Sequence, residues 1–165
     1  MAPIWDPGEF SELTVFVPAF NEEQTINESV SRMLVELPGA TIVVIDDGSS
    51  DCTFARVSKV ESPRLQRLRL TSNRGKGGAI KHGIKSLPPR TEYFAYLDGD
   101  LDLHPRTLAA GFFVLRDNPE LSGAIGSKLH PDSQLNYPWF RRLASKVYSF
   151  VVQLLLGMSI GDSQT

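Results

Sequence analysis

The 165-residue chain is expected to fold as an α/β domain, a mostly parallel sheet flanked by helices. Three observations predict this. Short apolar runs end abruptly in polar or acidic clusters. Amphipathic stretches at helical spacing separate those runs. The runs themselves are apolar without alternation, the pattern of strands buried on both faces.

The elements follow in chain order. Leu13–Val17 (LTVFV) is a β-branched and aromatic run that stops at Pro18. Residues 22–37 carry Ile26, Val30, Met33, Leu34 and Leu37 at helical spacing, which predicts a helix. Thr41–Ile45 (TIVVI) is a continuous apolar run ending in Asp46-Asp47-Gly48. A helix is expected over residues 53–60 and a weaker strand over 65–70. Another helix is expected over 77–87. Tyr93–Leu97 (YFAYL) is the third clear strand and ends in Asp98-Gly99-Asp100. A helix over 105–118 and a weak strand at 124–126 complete the alternation, whose crossovers should be right-handed. From Tyr137 to Leu156 the apolar residues Phe140, Leu143, Val147, Phe150, Val151, Leu154 and Leu155 share one broad face, with Arg141, Arg142 and Lys146 near its start. This reads as a basic amphipathic helix facing a membrane, or as a helix that packs on a further part of the protein.

Composition narrows the classes. Hydrophobic residues are 41% and charged residues 22%, as in globular domains. The net charge of −2 provides no global field for nucleic acid, and no nucleic-acid partner is expected. Cys52 is the only cysteine, so no internal disulfide forms; it is expected to be a small buried residue rather than a nucleophile. Residues 1–12 contain Pro3, Pro7 and Gly8 without an apolar run, which predicts an N-terminal extension rather than a signal peptide. The longest nearly apolar stretch, Val147–Ile160, is too short to span a bilayer.

The chemistry is expected at the carboxyl ends of the strands, where open α/β sheets bind ligands. Three clusters fall there: Pro18-Ala19-Phe20-Asn21-Glu22, Asp46-Asp47-Gly48-Ser49-Ser50-Asp51, and Asp98-Gly99-Asp100-Leu101-Asp102. Gathered carboxylates repel unless a cation sits among them, and hard oxygen ligands suit Mg²⁺ or Mn²⁺. Aspartates after strands also make turns and helix caps, a reading open for Asp46 and Asp47 and preferred for Asp51. Asn73-Arg74-Gly75-Lys76-Gly77-Gly78-Ala79 opens a helix and suits a phosphate, though a glycine-rich turn with solvated cations remains an alternative. It is not a P-loop: no glycine stands five residues before Gly75, and Gly77 follows the lysine where Ser or Thr is required. His104 and His130, each before a proline, are expected in surface loops rather than as metal ligands.

Together the segments Val17–Glu23, Val44–Asp51, Asn73–Ala79 and Leu97–Leu101 resemble a family 2 glycosyltransferase of the GT-A fold. Within that family the chain looks most similar to the polyprenyl-phosphate sugar synthases, such as dolichyl-phosphate mannose or glucose synthase. That finer likeness rests on Gly126-Ser127-Lys128, Arg141–Ser145 and Gly161–Thr165. The resemblance implies a Rossmann-like nucleotide-diphospho-sugar transferase fold, with residues 13–165 as the catalytic domain. Relatives continue past the motif at which this chain stops, so the domain is expected to be truncated at its C-terminus.

The resemblance also implies roles. Pro18, Phe20 and Glu22 line the nucleoside pocket, and Asp46 or Asp47 contacts base or ribose. Asp98 lies near ribose and diphosphate, Asp100 binds the metal, and Asp102 is a candidate third ligand. Lys76 faces the diphosphate. Lys128, Arg141 and Ser145 bind the acceptor phosphate, for which a solvated basic face is the alternative. The implied reaction is metal-dependent inverting transfer of a hexose, mannose or glucose, from a GDP- or UDP-sugar to a polyprenyl phosphate. The expected place is the cytoplasmic face of a membrane, with the chain peripheral and its final helix a candidate homodimer surface. Alternatives are a glycan or other soluble acceptor, a nucleotidyltransferase, and a non-catalytic nucleotide-binding domain.

Overall fold

The computed structural model describes residues 5–99 and 104–126. Four strands form one parallel sheet: β1 (Leu13–Ala19), β2 (Thr41–Asp46), β3 (Leu65–Arg69) and β4 (Tyr93–Tyr96), in the order β3-β2-β1-β4. Four helices alternate with them: α1 (Ile26–Glu36), α2 (Thr53–Val57), α3 (Gly75–Ile84) and α4 (Arg106–Asp117). The expected alternation is therefore present. The order reverses at β1, placing the chain's switch point between β1 and β4, where α/β sheets open a crevice.

β1 and β2 are buried on both faces because residues of either parity meet helices. Val15, Val17, Ile42 and Val44 join Ile26, Val30, Met33 and Val57 in one core. Phe16, Val43 and Ile45 join Leu70 and Ala79 in the other. α3 lies close over the second core: a Cβ at Gly83 would stand 2.6 Å from Ile45 Cδ1 and 2.8 Å from Phe16 Cδ1. β4 departs from the two-sided expectation. Phe94 is 54% and Tyr96 41% exposed, because β4 is the outermost strand of the described sheet and α3 seats over Phe16 and Ile45 instead.

Element boundaries shift for identifiable reasons. α1 begins at Ile26, four residues later than expected, because Glu22–Thr25 form a turn closed by Ile26 N–H to Glu22 O at 3.0 Å. α2 ends at Val57, not 60; Arg67 takes up the freed carbonyls of Val57 and Val60. α3 starts at Gly75, two residues early. Residues 124–126 show no strand; three apolar or small residues are too few to specify a pairing. Cys52 is exposed, contrary to expectation, because it sits at the turn that opens α2 while Thr53 takes the buried position beside it.

The chain divides into two compact units, Met1–Arg116 and Asp117–Thr165. The sheet and both cores lie in the first. In the second, the described residues include a turn in which Leu121 N–H donates to Asn118 O at 3.0 Å.

Candidate active site

The parallel register brings the carboxyl ends of β1 and β2 level: Ala19 pairs with Asp46, and Asp47 N–H donates to Ala19 O at 2.8 Å. β4 continues this edge through Leu97, whose N–H donates to Phe16 O at 3.0 Å, and so delivers Asp98 beside β1. Pro18, Ala19, Phe20, Asp47, Lys76 and Asp98 line one cleft there, of about 100 Å³. Four segments that the sequence places far apart thus meet at one point.

Two adjacent carboxylates at the end of β2, Asp46 within it and Asp47 just after it, have separate duties. Asp46 is completely buried; its Oδ1 accepts the Ser49 N–H at 3.0 Å and its Oδ2 lies 3.0 Å from Arg69 Nε, a close ion pair rather than an aligned hydrogen bond. Arg69 also donates to Ser49 O at 3.3 Å and stacks over Phe54 at 5.0 Å. Such a buried charge is costly once its partner is removed. Asp47 is 3% exposed and faces the cleft; its Oδ1 accepts the Arg74 N–H at 2.8 Å, fixing the loop that leads into α3. Gly48 lets that loop close: its φ is +72°, and a Cβ would stand 2.8 Å from Ser72 C and 2.9 Å from Asn73 N.

The loops after β1 and β2 are cross-braced. Asn21, at φ +57°, donates its N–H to Ser49 Oγ at 3.0 Å, and its Oδ1 accepts from Ser50 N–H at 3.0 Å. Glu22 N–H donates to Thr53 Oγ1 at 2.8 Å. Glu23 N–H donates to Asp51 Oδ2 at 3.2 Å, and Cys52 N–H returns a bond to Glu23 Oε2 at 3.0 Å. Asp51 Oδ1 accepts both the N–H and the hydroxyl of Thr53, at 2.9 and 2.5 Å, a local turn in place of the expected cap, because Cys52 holds the N-cap position of α2. Burial pulls the Asp51 pKa upward, but the bonds from Thr53 and Glu23 outweigh it and hold the carboxyl below its ordinary 3.8.

At the far side of the cleft Lys76 Nζ lies 2.9 Å from Asp98 Oδ2 and 5.0 Å from the Tyr96 ring centroid. Both charged side chains are nearly half exposed, 42% and 46%. Asp98 thus offers one hard oxygen donor at the cleft, suited to Mg²⁺ or Mn²⁺ when substrate phosphates complete the set. Among the described residues no group of three or more His, Cys, Asp or Glu is placed to hold a metal by protein ligands alone.

Of the residues singled out from the sequence, Pro18, Phe20, Asp47, Lys76 and Asp98 come together in the cleft. Glu22 does not line it; its carboxylate accepts from the Thr25 hydroxyl at 2.9 Å. Asp46 faces Arg69 instead. Asp100, Asp102, Lys128, Arg141 and Ser145, with His130 and the helix over 137–156, lie outside the described residues. His104 is an exposed loop residue as expected, with Nδ1 3.0 Å from Glu36 Oε2. Arg69 and Thr53 were not singled out, and Asn21 and Ser49 only as members of their clusters, yet all hold the site's loops; no acidic neighbour in the sequence marks Arg69, whose partner Asp46 lies on the next strand. A larger hollow of about 390 Å³ is lined by Gly48, Ser49, Arg69, Leu70 and Thr71. It lacks a carboxylate, and the chemistry favours the smaller cleft.

The model of the family "Glycosyl transferase family 2" matches residues 14–161. The chain belongs to that family. Among the family's proteins, it is 32% identical over 176 residues to a dolichyl-phosphate beta-glucosyltransferase of Drosophila melanogaster, covering 93% of this chain and 52% of that protein. To a dolichol-phosphate mannosyltransferase of Pyrococcus furiosus it is 28% identical over 139 residues, 82% of this chain and 38% of that one. The chain spans about half the length of such curated relatives. A solved structure of the mannosyltransferase PcManGT from Pyrobaculum calidifontis, in complex with GDP-Man and Mn²⁺, superposes with a TM-score of 0.58 at 29% identity, covering 71% of this chain and 35% of that one. The fold of this family 2 glycosyltransferase domain is therefore the GT-A type expected from its sequence.

Proposed function

We propose that this family 2 domain transfers a hexose, mannose or glucose, from a GDP- or UDP-sugar to a polyprenyl phosphate, with inversion and with Mg²⁺ or Mn²⁺. The observation that carries the donor half is the convergence of Asp47, Lys76 and Asp98 with Pro18 and Phe20 in one cleft. The acceptor half is supported by the relatives named for dolichyl-phosphate glucosyl and dolichol-phosphate mannosyl transfer.

The cleft is smaller than a nucleotide-sugar, so the donor lies along the open carboxyl edge with its diphosphate at the cleft. Pro18 and Phe20 flank the nucleoside, with Glu22 holding the turn behind them and Asp47 at the base or ribose, while buried Asp46 holds Arg69 behind it. Asp98, with Asp100 and Asp102, would hold the metal, which would neutralise charge on the departing diphosphate. Lys76 adds a second positive charge at the same point. An oxygen of the acceptor phosphate forms a bond to the anomeric carbon while the bond from that carbon to the diphosphate oxygen breaks, and the electron pair leaves with the nucleoside diphosphate. The attacking phosphate is already anionic, so no strong base is required. Lys128, Arg141 and Ser145 align it. The stretch 137–156, whose sequence pattern is that of a basic amphipathic helix, is our candidate for contact with the cytoplasmic face of a membrane and for a homodimer surface.

The test is an incubation of the chain with Mn²⁺, labelled nucleotide-sugar and polyprenyl phosphate. A lipid-extractable labelled product is expected, lost in Asp98→Asn and in Asp100→Ala. Product on glycans alone would sink the lipid acceptor.

A further inference from the structure

We infer that Lys76 is the resident cation of Asp98 in the free domain, and that it must leave Oδ2 of this carboxylate before a divalent metal can take that oxygen. The inference rests on the donor-site reading above and adds an order of events to it: Lys76 serves two anions in turn.

The geometry is specific. Lys76 Nζ lies 2.9 Å from Asp98 Oδ2, and the cleft that holds both is about 100 Å³. Two cations cannot share one carboxylate oxygen at such a distance without strong repulsion. A metal on that oxygen therefore displaces the ammonium. The displacement is easy, because the pair is nearly half exposed and such pairs are weak. The ammonium also has somewhere to go. Its four-carbon stem is flexible, it starts from the first turn of α3, and a diphosphate at the cleft provides the next anion. The Tyr96 ring, 5.0 Å from Nζ, keeps the charge over the cleft mouth during the exchange. Lys76 thus opposes the metal when it binds alone and supports it when it arrives with the diphosphate.

That opposition separates Lys76 from a residue that only binds substrate. Titration of the chain with Mn²⁺ alone, followed by electron paramagnetic resonance or calorimetry, should show tighter binding in Lys76→Met, by about two- to fivefold. In the presence of GDP or UDP the same variant should bind the metal–nucleotide pair at least about tenfold more weakly. Lys81→Met, which removes an exposed charge from the last turn of the same helix, controls for the general field and should change neither value. On the Asp98→Asn background the gain from Lys76→Met should disappear. Equal or weaker Mn²⁺ binding in Lys76→Met, or a gain matched by Lys81→Met, overturns the inference. A parent chain that binds Mn²⁺ in neither condition overturns both this inference and the donor-site reading. A parent that binds Mn²⁺–nucleotide, with no gain for metal alone in Lys76→Met, overturns only this one.

Discussion

At the scale of single residues, Asp51 shows how a carboxylate near a donor site can be structural. Its two oxygens take three hydrogen bonds, from Thr53 N–H, Thr53 hydroxyl and Glu23 N–H. Because the folded carboxyl titrates below 3.8, these bonds contribute stability that is complete above that value and is lost as pH falls through the lower folded value. Asp51→Asn should therefore be less stable than the parent at neutral pH, and the difference should shrink in strong acid; urea unfolding across an acid pH series measures it. Gly48 makes a sharper case. Its φ of +72° and a Cβ position 2.8 Å from the Ser72 backbone leave no room for a side chain. Gly48→Ala should cost about 1–3 kcal/mol and loosen the loop that carries Arg74 and Lys76. A lowered urea midpoint together with weaker nucleotide binding is the expected pair of results. The sequence made the aspartates visible but not their division of labour. Asp46 and Asp47 are adjacent and chemically identical, and only the strand pleat decides that one meets Arg69 while the other faces the cleft.

At the scale of elements, strands and helices were legible because buried parallel strands and amphipathic helices have different periods. Their ends were less so, since they are set by partners distant in sequence. The C-terminus of α1 is the clearest instance. Arg64 Nη1 donates to Leu37 O at 3.0 Å and Ala40 O at 3.1 Å, and Nη2 donates to Leu34 O at 2.6 Å. Burial lowers the Arg64 pKa, yet a guanidinium stays charged and complements the negative end of the helix. No local pattern announces a cap supplied from 24 to 30 residues away. Arg64→Met should cost roughly 2 kcal/mol or more in denaturant unfolding, with nucleotide affinity little changed in the folded fraction. The seat of α3 predicts the opposite division. Gly83 lets this helix approach Phe16 and Ile45, and α3 bears Lys76 at its start. Gly83→Val should overpack that contact at about 1–3 kcal/mol. It should also weaken nucleotide binding, because the displaced helix carries Lys76 out of reach of the diphosphate.

At the scale of the whole molecule, the cleft's lining residues lie between Pro18 and Asp98, all inside the unit Met1–Arg116. The residues proposed for the acceptor, Lys128, Arg141 and Ser145, lie in the other unit. Sequence reasoning could name the residues that line the cleft because they follow strand ends, where the topology itself creates the crevice. It had no comparable frame for the proposed acceptor residues, which lie outside the described residues and were named from a resemblance in sequence alone. The two halves are therefore separable by measurement. Donor binding linked to folding raises stability by about 2.7 kcal/mol when ligand is roughly a hundred times its dissociation constant. For a chain of this size that is a rise in melting temperature of roughly 5–11 °C. The 165-residue chain should show this rise with Mn²⁺ and GDP or UDP together and a smaller one with nucleotide in EDTA, whereas in Asp98→Asn Mn²⁺ should add nothing to the rise seen in EDTA. Arg141→Ala should keep the full rise while losing transfer to polyprenyl phosphate, because its proposed partner is the acceptor. An equal loss of melting shift in Arg141→Ala would move that residue to the donor site and leave the lipid-phosphate reading without its anchor.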